Sequence, residues 1–159
     1  MTTKGAKETG HQAPPEEMSL QSAAHQGNMK AVQALLASGV DVNGVDGSGG
    51  TALHRAVRGQ KKEIVKLPLA TGAKPNGVLS KCKTPLHHAG EKGGLDILPL
   101  LIDHKADVNA ADEFGWTPLY YAEANGHAAA AKLLRQHGAT DRRKVPRDAS
   151  PCRDSSACG

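Results

Sequence analysis

Histidine has the most chemistry to offer in this chain, because imidazole ligates metals and exchanges protons near neutral pH. There are eight of them. A metal site needs several to converge, together with cysteine or carboxylate partners at a ligand spacing. Their spacing is of another kind. His54 and His87 lie 33 residues apart, and so do His104 and His137, each one residue before Lys105 or Gly138. An interval of that length is a structural period. His87 and His88 are neighbours on one predicted helix, where successive side chains diverge by about 100° and do not share an ion. The three cysteines, Cys82, Cys152 and Cys158, are an odd number at no metal spacing, and they predict a reducing compartment. Asp and Glu are scattered without a paired-carboxylate arrangement, and no Gly-rich phosphate loop follows a strand. The residues predict no catalytic site, no metal and no cofactor.

The elements that carry these histidines are copies of one unit. Thr51-Ala52-Leu53-His54, Thr84-Pro85-Leu86-His87 and Thr117-Pro118-Leu119-Tyr120 begin 33 residues apart. Ala56, Ala89 and Ala122 recur in the same frame, as do Gly72, Lys105 and Gly138, and one period earlier come Leu20, Ala23, Gly27, Leu35-Leu36 and Gly39. Self-similarity at this period means one small unit stacked on itself, each copy burying its neighbour's apolar face. Within a copy, Thr117 is suited to cap a helix and Pro118 to open it. Small residues along that helix let the next copy approach. Gly27, Gly93 and Gly126 fit left-handed helix stops. A second helix is expected over about Ala128–Gln136, with Leu133 and Leu134 inward. The link from Ala106 to Trp116 contains Asp112 and Gly115 and reads as a turn projecting sideways.

The period, the Thr-Pro-Leu-His signature and the Asp41-Val42-Asn43 and Ala106-Asp107-Val108-Asn109 endings resemble ankyrin repeats. The likeness covers residues 17 to 140, closest in copies three and four. Copy two has Ala52 for the usual Pro and Gln60 where the frame expects Gly; copy one lacks the Thr-Pro pair. The resemblance implies an all-α fold, an ankyrin-repeat solenoid of stacked helix-turn-helix units with projecting β-turn or hairpin loops. The repeats would span about 17–45, 46–78, 79–111 and 112–140 of a domain at 16–140, between disordered tails at 1–15 and 141–159. It also implies that His54 and His87 bond within the turn. Asn43 and Asn109 each follow a Leu by eight residues in an Asp-Val-Asn tripeptide, similar to the pattern that an asparaginyl hydroxylase recognises in ankyrin proteins. The plainer reading, that these asparagines simply satisfy turn backbone, outweighs it.

On the family's frame the turn tips and first helices form a concave binding face. Gly47, Ser48, Gly50 and Ala124 fall on it, and the partner-binding residues would be Arg58, Ser80, Lys81, Lys83, Glu91, Lys92, Glu113, Phe114, Trp116 and Asn125. The sole Phe and the sole Trp both fall on the last tip. Residues 55–92 hold nine basic residues against two acidic ones, +7 in a chain of +4, so the remaining residues together carry −3. An exposed basic patch beside aromatic anchors suits a protein partner with an acidic surface. The expectation is therefore a monomeric, non-enzymatic scaffold, adaptor or inhibitor. An alternative is a nucleic-acid-associated factor using segment 55–92 and the tail basics Arg142, Arg143, Lys144, Arg147 and Arg153. It is weaker because no aromatics are interleaved with those basic residues.

Composition sets further bounds. Aromatics are 3% of the chain, so the interior must be Leu, Ile, Val and Ala. No apolar run approaches the length of a membrane span, and Met1–Pro15 has no apolar segment of a secretory signal; a cytoplasmic protein is expected, with the basic tail admitting the nucleus. Ser150-Pro151 is a weak phosphorylation motif. Pro68 replaces the Leu seen in frame at Leu35, Leu101 and Leu134, and Pro99 replaces the polar Gln33, Lys66 and Lys132. Proline inside a helix removes a hydrogen bond and crowds the preceding turn, at about 3 kcal/mol. The second helix of copy two is accordingly expected to be kinked or shortened.

Overall fold

The computed structural model describes residues 18–78 and 80–140. Eight α-helices run through them: α1 (Leu20–Gln26), α2 (Met29–Ala37), α3 (Ala52–Arg58), α4 (Lys62–Ala70), α5 (Pro85–Lys92), α6 (Ile97–Asp103), α7 (Pro118–Ala124) and α8 (Ala128–Gln136). They form four antiparallel pairs, with no strand among the described residues. The tails, with Cys152, Cys158 and Ser150-Pro151, lie outside the described residues.

Local chemistry sets each start. Thr117 Oγ1 accepts from the Tyr120 N–H at 3.3 Å and Pro118 opens α7. In copy one, without that pair, Ser19 Oγ caps α1 by accepting from Ser22 at 3.1 Å. Gly27, Gly93 and Gly126 stop the first helices at φ of 79°, 69° and 76°. Helices α1, α3, α5 and α7 stack into one layer with Leu53, Ala56, Leu86, Ala89, Leu119 and Ala122 at most 1% exposed. That layer is packed more closely than the layer of α2, α4, α6 and α8. Val32, Val65, Leu98, Leu101 and Leu134 close the core from the outer layer.

A shortened second helix in copy two is not what the structure shows: with buried Pro68 inside it, helix α4 spans nine residues, as do α2 and α8. The shorter second helix belongs to copy three. Pro99 has no N–H to give Leu95, so α6 begins at Ile97, with the Leu98 N–H bonded to Gly94 O at 2.9 Å, and Pro99 sits in the first turn where a missing N–H costs little. Cys82 is 1% exposed and disulfide-bonded. No helix among the described residues is long and apolar enough to cross a membrane.

Candidate functional site

The periodic polar residues come first, because they hold the site's frame. His54 Nδ1 accepts from Thr51, with Oγ1 at 2.9 Å, while Nε2 donates to Lys83 O in the next copy at 3.3 Å. His87 repeats the arrangement: Nδ1 accepts from the Thr84 N–H at 3.0 Å and Nε2 donates to Trp116 O at 2.9 Å. Both nitrogens of each ring are committed to turn and neighbour, so these rings are structural staples. Burial drives the His54 pKa down to about 4 and lowers that of His87 too, since a charged imidazole is disfavoured where water is excluded. Three asparagines 33 apart do the same work along the opposite edge. Asn43 accepts from Lys74 N at 2.8 Å and donates to Gly72 O; Asn76 bridges Asp107 N and Lys105 O; Asn109 bridges Thr140 N and Gly138 O. The hydroxylation candidates Asn43 and Asn109 are thus tied at both ends of the amide.

The tips project from this frame. Asp46 and Asp112 each close a turn: Asp46 N–H donates to Gly50 O and Asp112 N–H to Trp116 O, both at 3.0 Å. Gly49 and Gly115 take the left-handed positions these turns require, at φ of 82° and 81°. One carboxylate oxygen of each Asp accepts two tip N–H groups, from Ser48 and Gly50 or from Phe114 and Trp116. The other oxygen accepts from the first helix: Arg55 Nε at 2.7 Å for Asp46, Tyr121 Oη at 2.6 Å for Asp112. Burial alone would raise the Asp46 pKa, but the Gly50 and Ser48 donors and the Arg55 guanidinium outweigh it and bring it down to about 2. Tyr121 is shifted far upward, by burial first and by its bond to Asp112 second. Copy three departs from the pattern, with Leu79 in place of the Asp and a short 3-10 turn at Ser80–Cys82, where Lys81 and Cys82 take φ of 65° and 61°. Its Lys81 O accepts from the Glu113 N–H at 3.0 Å, joining the third tip to the fourth.

All four of the chain's Phe, Trp and Tyr rings meet at that junction. Trp116 stacks on Tyr120 at 4.9 Å, tilts against Phe114 at 5.1 Å and meets Tyr121 edge-on at 5.9 Å. Phe114 is 42% exposed, and Trp116 and Tyr120 are half-buried. Lys81 Nζ sits 5.7 Å over the Phe114 ring and Lys83 Nζ 4.3 Å over Tyr121, and Lys83 also lies 3.6 Å from Glu91. The structure therefore brings Lys81, Lys83, Glu91, Glu113, Phe114 and Trp116 into one region. Arg58 and Lys92 are exposed at the ends of α3 and α5. Asn125 is exposed too, with its amide donating to Tyr121 O at 2.8 Å. Ser80 opens the 3-10 turn of the third tip.

Sequence reasoning missed four participants. Tyr120 and Tyr121 complete the ring cluster, and the Trp116/Tyr120 helical spacing was the available signal. Arg55 and His88 share a frame with Tyr121, and the pairing of Arg55 to Asp46 had no simple sequence cue. His88 is 5% exposed, yet neither ring nitrogen has a hydrogen-bond partner among the described residues.

Comparison with known proteins agrees with this architecture. The family model for ankyrin repeats (many copies) matches residues 20–67, and the one for ankyrin repeats (3 copies) matches residues 68–144. No curated protein matches the chain.

Proposed function

This chain belongs to the ankyrin repeat family, whose repeats generally serve as protein–protein interaction modules, and we propose that it is an adaptor or inhibitor gripping a partner protein on its concave face. The observation that carries the reading is the gathering of Phe114, Trp116, Tyr120 and Tyr121 at the last tip beside Lys81 and Lys83. Aromatic rings bury much area at small entropic cost and are enriched among residues that dominate binding energy. The lysines give the same region a positive field that steers an acidic surface into place. The nucleic-acid alternative has less to draw on, because Arg55 and Lys66 within segment 55–92 are already ion-paired to Asp46 and Glu63.

The test is affinity capture of a partner followed by surface kinetics with two variants. Lys81→Glu with Lys83→Glu slows association and flattens its salt dependence. Trp116→Ala speeds dissociation, costing about 2 kcal/mol of binding or more. Its stacking on Tyr120 means that it also loosens the last tip, so amide exchange of the free variant must accompany the binding data. Unchanged kinetics in both variants would defeat the reading.

A further inference from the structure

One residue on the inner face is left incomplete by the fold. Ser22, Arg55, His88 and Tyr121 occupy the same position in successive copies, 33 residues apart, and form a column along the first-helix layer. In copies two and four the occupant is clamped to a carboxylate of the tip before it, Arg55 to Asp46 and Tyr121 to Asp112. In copy three Leu79 replaces that Asp. The imidazole of His88 is consequently 5% exposed with both nitrogens unbonded among the described residues. The nearest carboxylate, Glu91 Oε1, stands 3.8 Å from Nδ1, outside hydrogen-bond reach. A buried donor without an acceptor costs about 1–3 kcal/mol.

The surroundings of the ring favour one kind of guest. His54 and Arg58 approach from α3 and Lys83 from the third tip. Among the described residues the acidic side chain beside it is Glu91, which is already shared with Lys83. A donor ring flanked by a guanidinium and an ammonium lacks a carboxylate, as the two in-frame sites show by possessing one. We propose that His88 is a socket for an Asp or Glu side chain of the partner, which supplies from outside the carboxylate that Asp46 and Asp112 supply within copies two and four. The carboxylate accepts the imidazole N–H, with Arg58 and Lys83 closing over it. This deepens the concave-face reading and rests on it: the aromatic tip holds the partner's apolar side chains, and the socket selects an acidic residue placed next to them.

The probe is the blocked hexapeptide acetyl-(Asp-Glu)3-amide, with acetyl-(Asn-Gln)3-amide as its uncharged counterpart, titrated into the full chain. Nitrogen-detected NMR of the histidine rings follows His88, and backbone amides map the rest. Saturable shifts of the His88 ring nitrogens are expected with the acidic peptide and not with the amide peptide. His88→Phe, which keeps the ring volume, should weaken the acidic peptide at least about tenfold, the scale of a lost hydrogen bond to a charged group. His104→Phe, at an exposed histidine, should leave it unchanged. If His88→Phe fails to fold, the ring shifts of the parent protein decide the matter alone. Shifts confined to the tip amides, with the His88 ring silent or His88→Phe binding as tightly as the parent, overturn the socket and leave the concave-face reading standing. Shifts confined to the outer helices, or none, overturn both.

Discussion

Gly90 lies inside α5 and is buried where that helix passes the start of α7. A Cβ added there would stand 2.5 Å from Pro118 O, 3.3 Å from Pro118 C and 3.5 Å from Pro118 Cα. Contact distances of about 3.5 Å are the norm, so Gly90→Ala must part the two helices by nearly 1 Å. The obstructing atoms are backbone, and no rotamer relieves them. Such an opening also carries the His87–Trp116 bond, 2.9 Å long, past hydrogen-bond range. In an unobstructed helix the same change stabilises by about 0.5–1 kcal/mol. Overpacking costs typically 1–3 kcal/mol and the lost staple about 1 kcal/mol. The net expectation is a destabilisation of about 1–3 kcal/mol, a fall in Tm of several degrees. Because each copy leans only on its neighbours, copy four should lose amide protection first. Gly94→Ala is the comparator: its Cβ would meet Ile97 Cβ at an ordinary 3.6 Å, and it should change stability by about 0.5 kcal/mol at most. Calorimetry and urea melts of both variants settle the point. A Gly90→Ala protein as stable as the parent would refute the close approach of α5 to Pro118.

Lys105 holds φ of 71° where Gly39, Gly72 and Gly138 hold 92° to 99° in frame; a left-handed non-glycine costs about 1–2 kcal/mol, so Lys105→Gly should stabilise by a net ~0.5–1 kcal/mol in a urea melt, and a loss of stability would contradict it. The pKa of His54 is lowered to about 4 and that of His88 to about 3, chiefly by burial, so the unfolded chain takes up these protons first as pH falls. Stability present above pH 6.5 should therefore decline from there toward pH 4, before Asp46 titrates near 2, and a urea midpoint flat between pH 8 and 5 would show the sign to be wrong. Pro68→Leu restores the in-frame residue and the N–H that α4 lacks, and should raise Tm by several degrees; an unchanged or lower Tm would mean that the core has fitted itself to the proline ring.

Much of the fold was legible because a repeat writes the same physics several times. The Thr-Pro openings, the glycine stops and the inward leucines each recur, so one reading is checked by the others. Histidines 54 and 87 read correctly as periodic for the same reason. What stayed hidden breaks the period or depends on three dimensions. Asn76 is hidden in the sequence because Pro75 precedes it where Val42 and Val108 precede its equivalents, although its side chain makes the same two bonds. The delayed start of α6 comes from a missing N–H in its first turn, whereas the sequence points to Pro68, which lies late in its helix. The ring cluster unites a tip and a helix, and the lysines expected to face a partner turned out to lean on Phe114 and Tyr121 as well. In sequence His88 is one half of an adjacent pair, and only the clamps on Arg55 and Tyr121, which are three-dimensional, set it apart.

The account rests on the inner helices and tips as the surface that meets a partner. Hydrogen–deuterium exchange of the chain, alone and bound to a captured partner, tests that most directly. Protection is expected in the third and fourth tips and along α5 and α7, spanning Lys81, Lys83, Phe114 and Trp116, with α2, α4 and α8 unchanged. Protection confined to α2, α4, α6 and α8, with those tips exchanging as in the free protein, would contradict it.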